Sequence, residues 1–176
     1  MKRFFKGNKA MGSIFNDNIN FVNRSAGNFR PQESSREMLL SVNTGGAGPL
    51  PLTGNPLNSP INVVSTSIDT RRFKRSTNLL IFTTLISLPA GAVVQLHFDI
   101  TRSVDGGGST QIGSTYTFEA TANTAFSQSF AFQYADGDLE GGSYTYSVQL
   151  SPNSTISGTG GTTISNATLT VFAVRS

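Results

Sequence analysis

The chain has 176 residues and a mass of 18.7 kDa, a length that suffices for one domain. It contains no Cys, no Trp and one His, which excludes disulfide scaffolds, thiolate metal sites and two-histidine metal sites. Ser and Thr number 22 and 20, whereas charged residues are only 13%, about half of the usual share, and no apolar run reaches the roughly 20 residues of a membrane span. The net charge of +3 combines a basic first part (11 basic and 4 acidic residues over 1–75) with an acidic second part (2 basic and 6 acidic over 76–176), so one copy could attract the opposite part of another copy, or the basic part could meet nucleic acid.

Residues 1–60 are predicted to form an extended arm and linker. They hold five of the seven prolines and a glycine-rich run at residues 44–49, and such a composition does not build a core of its own. Residues 38–42 are apolar, but Ser34 and Glu37 ahead of them fit a helix capping box, so a strand and a helical turn both stay open there. Residues 18–21 alternate between polar and apolar and follow the apolar residues 14 and 15, which predicts a strand over 14–22. Its apolar anchors are Ile14, Phe15, Ile19 and Phe21.

From residue 61 onward the pattern is typical of β-strands. β-branched residues fill 62–69, and residues 79–88 are almost continuously apolar or Thr, as in a strand buried on both sides. Turn signals separate the segments, and no helical period occurs. Alternating strands are predicted at residues 93–102, 111–121, 126–134 and 143–151, and a last strand at 166–174.

Seven strands of 8–11 residues at short spacing predict an all-β fold, a jelly-roll β-sandwich with an extended N-terminal arm. The eighth strand would come from the arm or from residues 155–164. The predicted regions are therefore an arm and linker over residues 1–60 and the sandwich over 61–176. Outward positions are rich in Ser and Thr, and Lys is absent after residue 74, so we expect other subunits to cover these faces and edges.

The densest basic segment comprises Arg71, Arg72, Lys74 and Arg75. It is short, contains a single aromatic residue and has no comparable second cluster, which disfavours nucleic acid. We expect the segment to be a subunit interface that meets the acidic loops around residues 105 and 136–140 of another copy. A solvated strand edge is the alternative.

One glycine-rich segment places Asp136, Asp138 and Glu140 at alternating positions, and calcium prefers oxygen ligands of this kind. The spacing of an EF-hand is not met, because Ser147 stands where its bidentate Glu would be. We therefore predict a solvated hairpin loop, with a weak calcium site as the alternative.

His97 lies beside Asp99 on the polar face of its predicted strand. No nucleophile-elbow motif accompanies this pair, and a Ser–His–Asp relay needs a nucleophile within hydrogen-bond reach. We expect a surface or interface role for His97, no catalytic residue and no cofactor, and hence no enzyme.

Four strand segments resemble the jelly-roll proteins of endospore surfaces in spore-forming Firmicutes, which include the subunits of endospore appendage fibres and exosporium proteins. This resemblance implies a jelly roll, a location on the spore surface and polymerisation through N-terminal connectors. Appendage subunits of the better-known type carry Cys in the connector, and this chain has none, so its fibre would be non-covalent. The segments are LISLPAG (85–91), GSTYTF (113–118), QSFAFQY (128–134) and ISNATL (164–169).

We expect a structural protein that assembles head to tail into an extracellular fibre, in which the arm of one subunit adds a strand to a sheet edge of the next. Its partners would be further copies of the chain and an anchoring or tip protein on the spore surface, without membrane or nucleic acid. Residues 1–9 are charged and no apolar stretch follows them, so no secretory signal is predicted and synthesis would occur in the mother-cell cytoplasm. The alternatives are a viral or phage capsid-type jelly roll with a basic arm, and a trimeric binding module of the complement or tumour-necrosis-factor type.

Overall fold

The computed structural model describes residues 37–51, 57 and 59–176, and this part of the chain contains nine β-strands and no helix. The strands are β1 (Met38–Ala47), β2 (Ile61–Asp69), β3 (Arg75–Leu88), β4 (Val93–Val104), β5 (Thr110–Thr121), β6 (Phe126–Glu140), β7 (Ser143–Leu150), β8 (Thr155–Ser157) and β9 (Thr163–Arg175).

The strands form two antiparallel sheets. Sheet A has the order β1-β9-β3-β6, and sheet B has the order β2-β7-β4-β5, with the short β8 pairing with the start of β4. The pairing is nested, because β1 pairs with β9, β2 with β7, β3 with β6 and β4 with β5. An antiparallel hairpin wrapped over itself in this way is a jelly roll. The predicted all-β jelly-roll sandwich is confirmed.

The core lies between the two sheets and follows from period-two alternation, which sends every second side chain inward. In β4 the predicted inward residues Val94, Leu96, Phe98 and Ile100 are at most 3% exposed. β7 alternates half-buried and buried residues along its whole length, with Tyr146 fully buried. The alternation read from the sequence therefore identified the core-facing side of these strands.

Four strands agree closely with the sequence prediction, whereas β3, β6 and β9 are longer than predicted. The segments predicted at residues 62–69, 93–102, 111–121 and 143–151 begin and end within two residues of β2, β4, β5 and β7. Residues 38–42, left open between strand and helix, lie in β1, where Leu40 pairs with Phe172 of β9. The two expected sources of an eighth strand were the arm and residues 155–164. Both contribute a strand, the arm as β1 and residues 155–164 as β8.

The predicted boundary between residues 60 and 61 differs from the structure, because β1 already belongs to sheet A. The Pro- and Gly-rich residues that follow β1 connect two strands of one sandwich, and Leu50 and Leu57 in this stretch are buried in its core. β3 is also not buried on both sides. Its core side is covered, whereas Leu79, Ile81 and Leu85 are half-buried on the outer face.

Candidate assembly site

The two sheets end in β5 and β6 on one side of the sandwich, which we call the open flank. Among the described residues β5 pairs only with β4, and β6 only with β3, so each strand has an outer edge of backbone groups without a partner strand there. β5 has 12 residues and β6 has 15, and neither contains Lys or Pro. Lys, Pro and carboxylates are among the features that protect an edge, and residues 110–118 of β5 and 126–135 of β6 contain none of them, so these parts of the edges are suited to accept an added strand.

Aromatic rings from both sheets meet at the open flank. Tyr116 of β5 and Phe132 of β6 stack with ring centroids 3.9 Å apart and planes 5° apart, and Phe130 lies 5.1 Å from Phe98. The Tyr116 hydroxyl donates to the backbone carbonyl of Gln133 at 3.1 Å, and burial raises the pKa of this hydroxyl. Tyr116, Phe130 and Phe132 stay half-buried, so the flank is apolar without being sealed.

The opposite side of the sandwich, formed by β1 and β2, is closed by contacts between the sheets. The Asn43 side-chain amide donates to the Ser65 carbonyl at 2.7 Å. A Cβ added at Gly45 would lie 2.2 Å from the Val63 carbonyl oxygen, so only glycine permits this approach. The two sides therefore differ, because the backbones of β1 and β2 approach each other closely at the closed side, whereas aromatic side chains lie between β5 and β6 at the open flank.

The basic segment at residues 71–75 forms ion pairs within its own chain. The N–O distances are 3.1 Å for Arg71–Asp105, 2.7 Å for Arg72–Glu37 and 3.8 Å for Arg75–Asp138. All these side chains are at least 42% exposed, so each pair adds little stability. The pairs nevertheless compensate the charges of Arg71, Arg72 and Arg75. Lys74, the fourth cation of the segment, is exposed. Little uncompensated charge is left for the expected contact with another copy.

The Asp105 carboxylate accepts the backbone N–H of Ser143 at 3.0 Å and the Arg71 guanidinium at 3.1 Å, and these two hydrogen bonds lower the pKa of Asp105. A lowered folded-state pKa means that the carboxylate stabilises the fold at neutral pH, and that this contribution is lost as the pH falls through the folded pKa. We expect Arg71→Ala to raise the pKa of Asp105 only partway, because the Ser143 bond remains. Carboxyl NMR titration measures this, and an unchanged pKa would contradict the assignment.

The acidic segment is not the predicted hairpin loop. Residues 135–140 extend β6 along the start of β3, where Arg75 faces Glu140 and Asn78 faces Asp136, with a bulge between these two pairs. Asp136 is buried, whereas Asp138 and Glu140 are exposed. No group of three or more Asp, Glu or His side chains within the described residues could hold a metal ion, so these three carboxylates do not form the calcium site given as the alternative.

Asp136 instead belongs to a buried polar cluster that the sequence did not reveal. Arg102 Nη1 lies 2.9 Å from both carboxylate oxygens of Asp136, and the Tyr146 hydroxyl donates to Asp136 at 2.8 Å. The Asn78 amide donates to the Tyr146 hydroxyl at 2.8 Å. These residues come from β4, β6, β7 and β3, so the cluster joins both sheets. The signal in the sequence was Arg102, the single Lys or Arg between residues 76 and 174.

In this polar cluster, Arg102 stays charged and the Tyr146 hydroxyl stays protonated. Burial raises the pKa of the Tyr146 hydroxyl far above its ordinary value, so the hydroxyl stays protonated and donates to Asp136. Burial by itself would lower the pKa of Arg102, but the hydrogen bond and charge of Asp136 outweigh it, and the pKa is raised. The cluster therefore holds one paired positive and one paired negative charge between the sheets.

His97 lies on the polar outer face of sheet B, as predicted. Its Nδ1 is 3.0 Å from the Thr117 hydroxyl. The Asp99 carboxylate accepts from the Thr115 hydroxyl at 2.6 Å and the Gln111 amide at 3.1 Å, and among the described residues no hydrogen bond joins it to His97. The pair is thus arranged as a strand-surface network rather than as a catalytic relay.

The predicted anchors of the arm lie outside the described residues. They are Ile14, Phe15, Ile19 and Phe21. In the described part of the chain, no helix has the length and apolar character needed to cross a membrane.

The sequence matches no family model and no protein with a curated description. Among solved structures, one of infectious bursal disease virus, Gx strain, is similar to 77% of this chain with 15% identity and a TM-score of 0.43. The match covers 33% of the viral chain, so this protein spans about a third of its length.

Proposed function

We propose that this protein is a structural subunit that polymerises without covalent links, and that the N-terminal segment of one copy adds a strand to the open flank of the next. The observation that carries the proposal is the pair of long edges at this flank. They are backed by half-buried aromatic rings and have no Lys or Pro. β-augmentation uses such edges, since main-chain hydrogen bonds supply affinity and alternate side chains supply register.

The length of the chain ahead of β1 suits this role. Residues 14–22 are the predicted arm strand, and fifteen residues separate this segment from Met38. Fifteen residues reach about 50 Å when extended. A small domain is about 30 Å across, so the segment could span from its own sandwich to the flank of a neighbour. Because this contact is head-to-tail, it yields an open filament unless the rotation closes.

The resemblance to endospore surface proteins supplies the setting of the proposal. The fibre would lie on a spore surface, with an anchoring or tip protein as its one foreign partner. The absence of Cys means that reducing agents would leave it intact, because the subunits would be held by strand pairing and apolar contact alone.

Negative-stain microscopy of the full chain and of a chain lacking residues 1–24 tests the proposal. We expect filaments from the full chain that persist in reducing agent, and soluble globular units after the deletion. A matched control replaces Ile19 and Phe21 by Asp in the full chain, which keeps the length of the arm and removes two anchors, and it should also give globular units. Closed shells, compact trimers or monomers from the full chain would contradict the proposal, and so would filaments from the deleted chain.

A further inference from the structure

The outer face of sheet A has four successive rows without a charged side chain, and nine of the fifteen residues in these rows are apolar. The strand registers align outward-facing residues in rows across β1, β9, β3 and β6. No outward-facing position in these rows is Lys, Arg, Asp or Glu. The rows are Met38–Val174–Thr77, Leu40–Phe172–Leu79–Ala135, Val42–Thr170–Ile81–Gln133 and Thr44–Thr168–Thr83–Ala131.

The apolar residues of this face are accessible. Met38, Leu40 and Val42 are 57%, 58% and 51% exposed, and Phe172 and Ile81 are half-buried. Such exposure of large aliphatic side chains on adjacent positions is uncommon on a monomer, where contiguous apolar patches of this kind mark interaction sites.

The outer face of sheet B provides the internal comparison. It is dominated by hydroxyl, amide and carboxylate side chains, several of which bond one another, as in Ser67–Thr145 at 2.8 Å and Ser65–Ser147 at 2.8 Å, and it also contains His97 and Val93. The two outer faces belong to the same fold and experience the same geometric constraints. The apolar character of sheet A is therefore a property of that face and not of the sandwich as a whole.

We propose that the outer face of sheet A is an interface that packs against the same face of a second copy. Adjacent strands lie about 4.8 Å apart and same-face residues about 6.7 Å apart, so four strands by four rows cover about 500 Å². Two such faces bury about 1,000 Å², which is the lower limit expected of a biological interface. An uncharged face matches itself, because no like charges meet when it pairs about a two-fold axis.

The charges at one end of this face fit the same arrangement. Glu37, Arg72, Arg75 and Arg175 lie near the end where Met38 and Val174 pair, outside the apolar rows. An apolar centre with a polar rim is the usual composition of an interface. Pairing through this face is separate from strand addition at the open flank, so it goes beyond the proposed function and would join two filaments side by side.

The test replaces Leu40 and Val42 together by Lys in the full chain. Both positions are exposed, and Lys is tolerated on an edge strand. The matched control places two lysines on the outer face of sheet B, as Asn62→Lys with Ser67→Lys, at exposed positions of the edge strand β2 on the closed side. We expect the first variant to weaken pairing at least about a hundredfold, since two apolar contacts per copy are replaced by buried charges, while the control pairs like the wild type.

Microscopy and sedimentation velocity separate this proposal from the proposed function. If filaments form, the Leu40/Val42 variant should give single filaments where the wild type gives paired ones. If no filaments form, the wild type should still sediment as a dimer and the variant as a monomer. Equal widths, or equal masses, for the variant and the wild type would overturn the interface.

Cross-linking keeps the inference testable if the lysine variant does not fold. The chain has no Cys, so Thr170→Cys near the centre of the face can be joined by a bismaleimide of about 10 Å, the distance between stacked sheets. We expect covalent dimers, and none from Ser147→Cys on sheet B. Absence of dimers overturns the proposal. A rise in dimers after removal of residues 1–24 also overturns it, because the chain's own first segment would then be the occupant.

Discussion

Replacing Phe98 by Ala is expected to lower the free energy of unfolding by about 3–5 kcal/mol, the usual cost of removing a fully buried aromatic ring. Phe98 is 0% exposed, and its ring lies 5.8 Å from that of Phe82 and 5.1 Å from that of Phe130. The substitution leaves a cavity where the two sheets meet, and strands already paired on both sides cannot collapse to fill it. Urea unfolding followed by far-ultraviolet circular dichroism measures the change.

The matched control removes a ring at the open flank. Phe132→Ala deletes a side chain that is half-buried and borders solvent, so the loss should be clearly smaller than at Phe98. Phe98→Leu, which keeps most of the volume, should also cost less than Phe98→Ala. Equal losses at the two positions would mean that the flank is as tightly enclosed as the centre of the core.

Replacing Asp136 by Asn is expected to lower the free energy of unfolding by about 3 kcal/mol, because the substitution leaves the Arg102 charge without its partner between the sheets. This value is at the lower end of the range for broken buried pairs, since the Arg102 side chain is 26% exposed and can reach some water. The Asn side chain keeps the volume of the carboxyl group, so the loss would report charge rather than packing. Urea unfolding measures it.

Two further variants separate the ion pair from other effects. Asp138 lies on the same strand as Asp136, and its carboxylate is 91% exposed and 3.8 Å from Arg75 of β3. Asp138→Asn should therefore cost less than about 1 kcal/mol. The double variant Arg102→Met with Asp136→Asn should cost less than the two single losses added together, because no charge is left unpaired. Additive losses would show that Arg102 and Asp136 are not coupled.

Alternation made much of the fold predictable from the sequence. Val94, Leu96, Phe98 and Ile100 face the core because a strand turns successive side chains to opposite sides, and this holds whatever the strand pairs with. Gly- and Pro-rich stretches ended the strands for a similarly local reason, since they favour turns. The number of strands and their short spacing then favoured two packed sheets.

Pairing between distant strands decided the positions where prediction failed. The acidic segment was predicted to be a loop because acidic residues and Gly favour turns. β3 extends far enough to pair with Asp136 and Glu140, and Asp138 lies in the bulge between them. Residues 38–42 became a strand because β9 provides a partner edge. Leu79 and Ile81 looked like residues of a doubly buried strand, but within the described residues no layer covers their outer side.

Some features of the candidate site were predictable from the sequence, and others depended on the order of the strands. The sequence showed that Lys is missing from the later strands and that Ser and Thr fill their outward positions. It could not show which edges stay without a partner strand, because that depends on the order of strands in each sheet. Nor could it show that Arg71, Arg72 and Arg75 meet carboxylates of the same chain, since their partners are as far away in sequence as Asp138.

The sequence by itself determined an all-β sandwich, its inward-facing residues and a surface poor in charge, because these depend on local alternation and composition. The tertiary structure alone decided that β5 and β6 form an open flank, that Arg102 and Asp136 meet between the sheets, and that the apolar outer residues of β1, β9 and β3 lie on one face. Each of these features depends on the register and order of strands far apart in the chain, and local sequence does not encode that order.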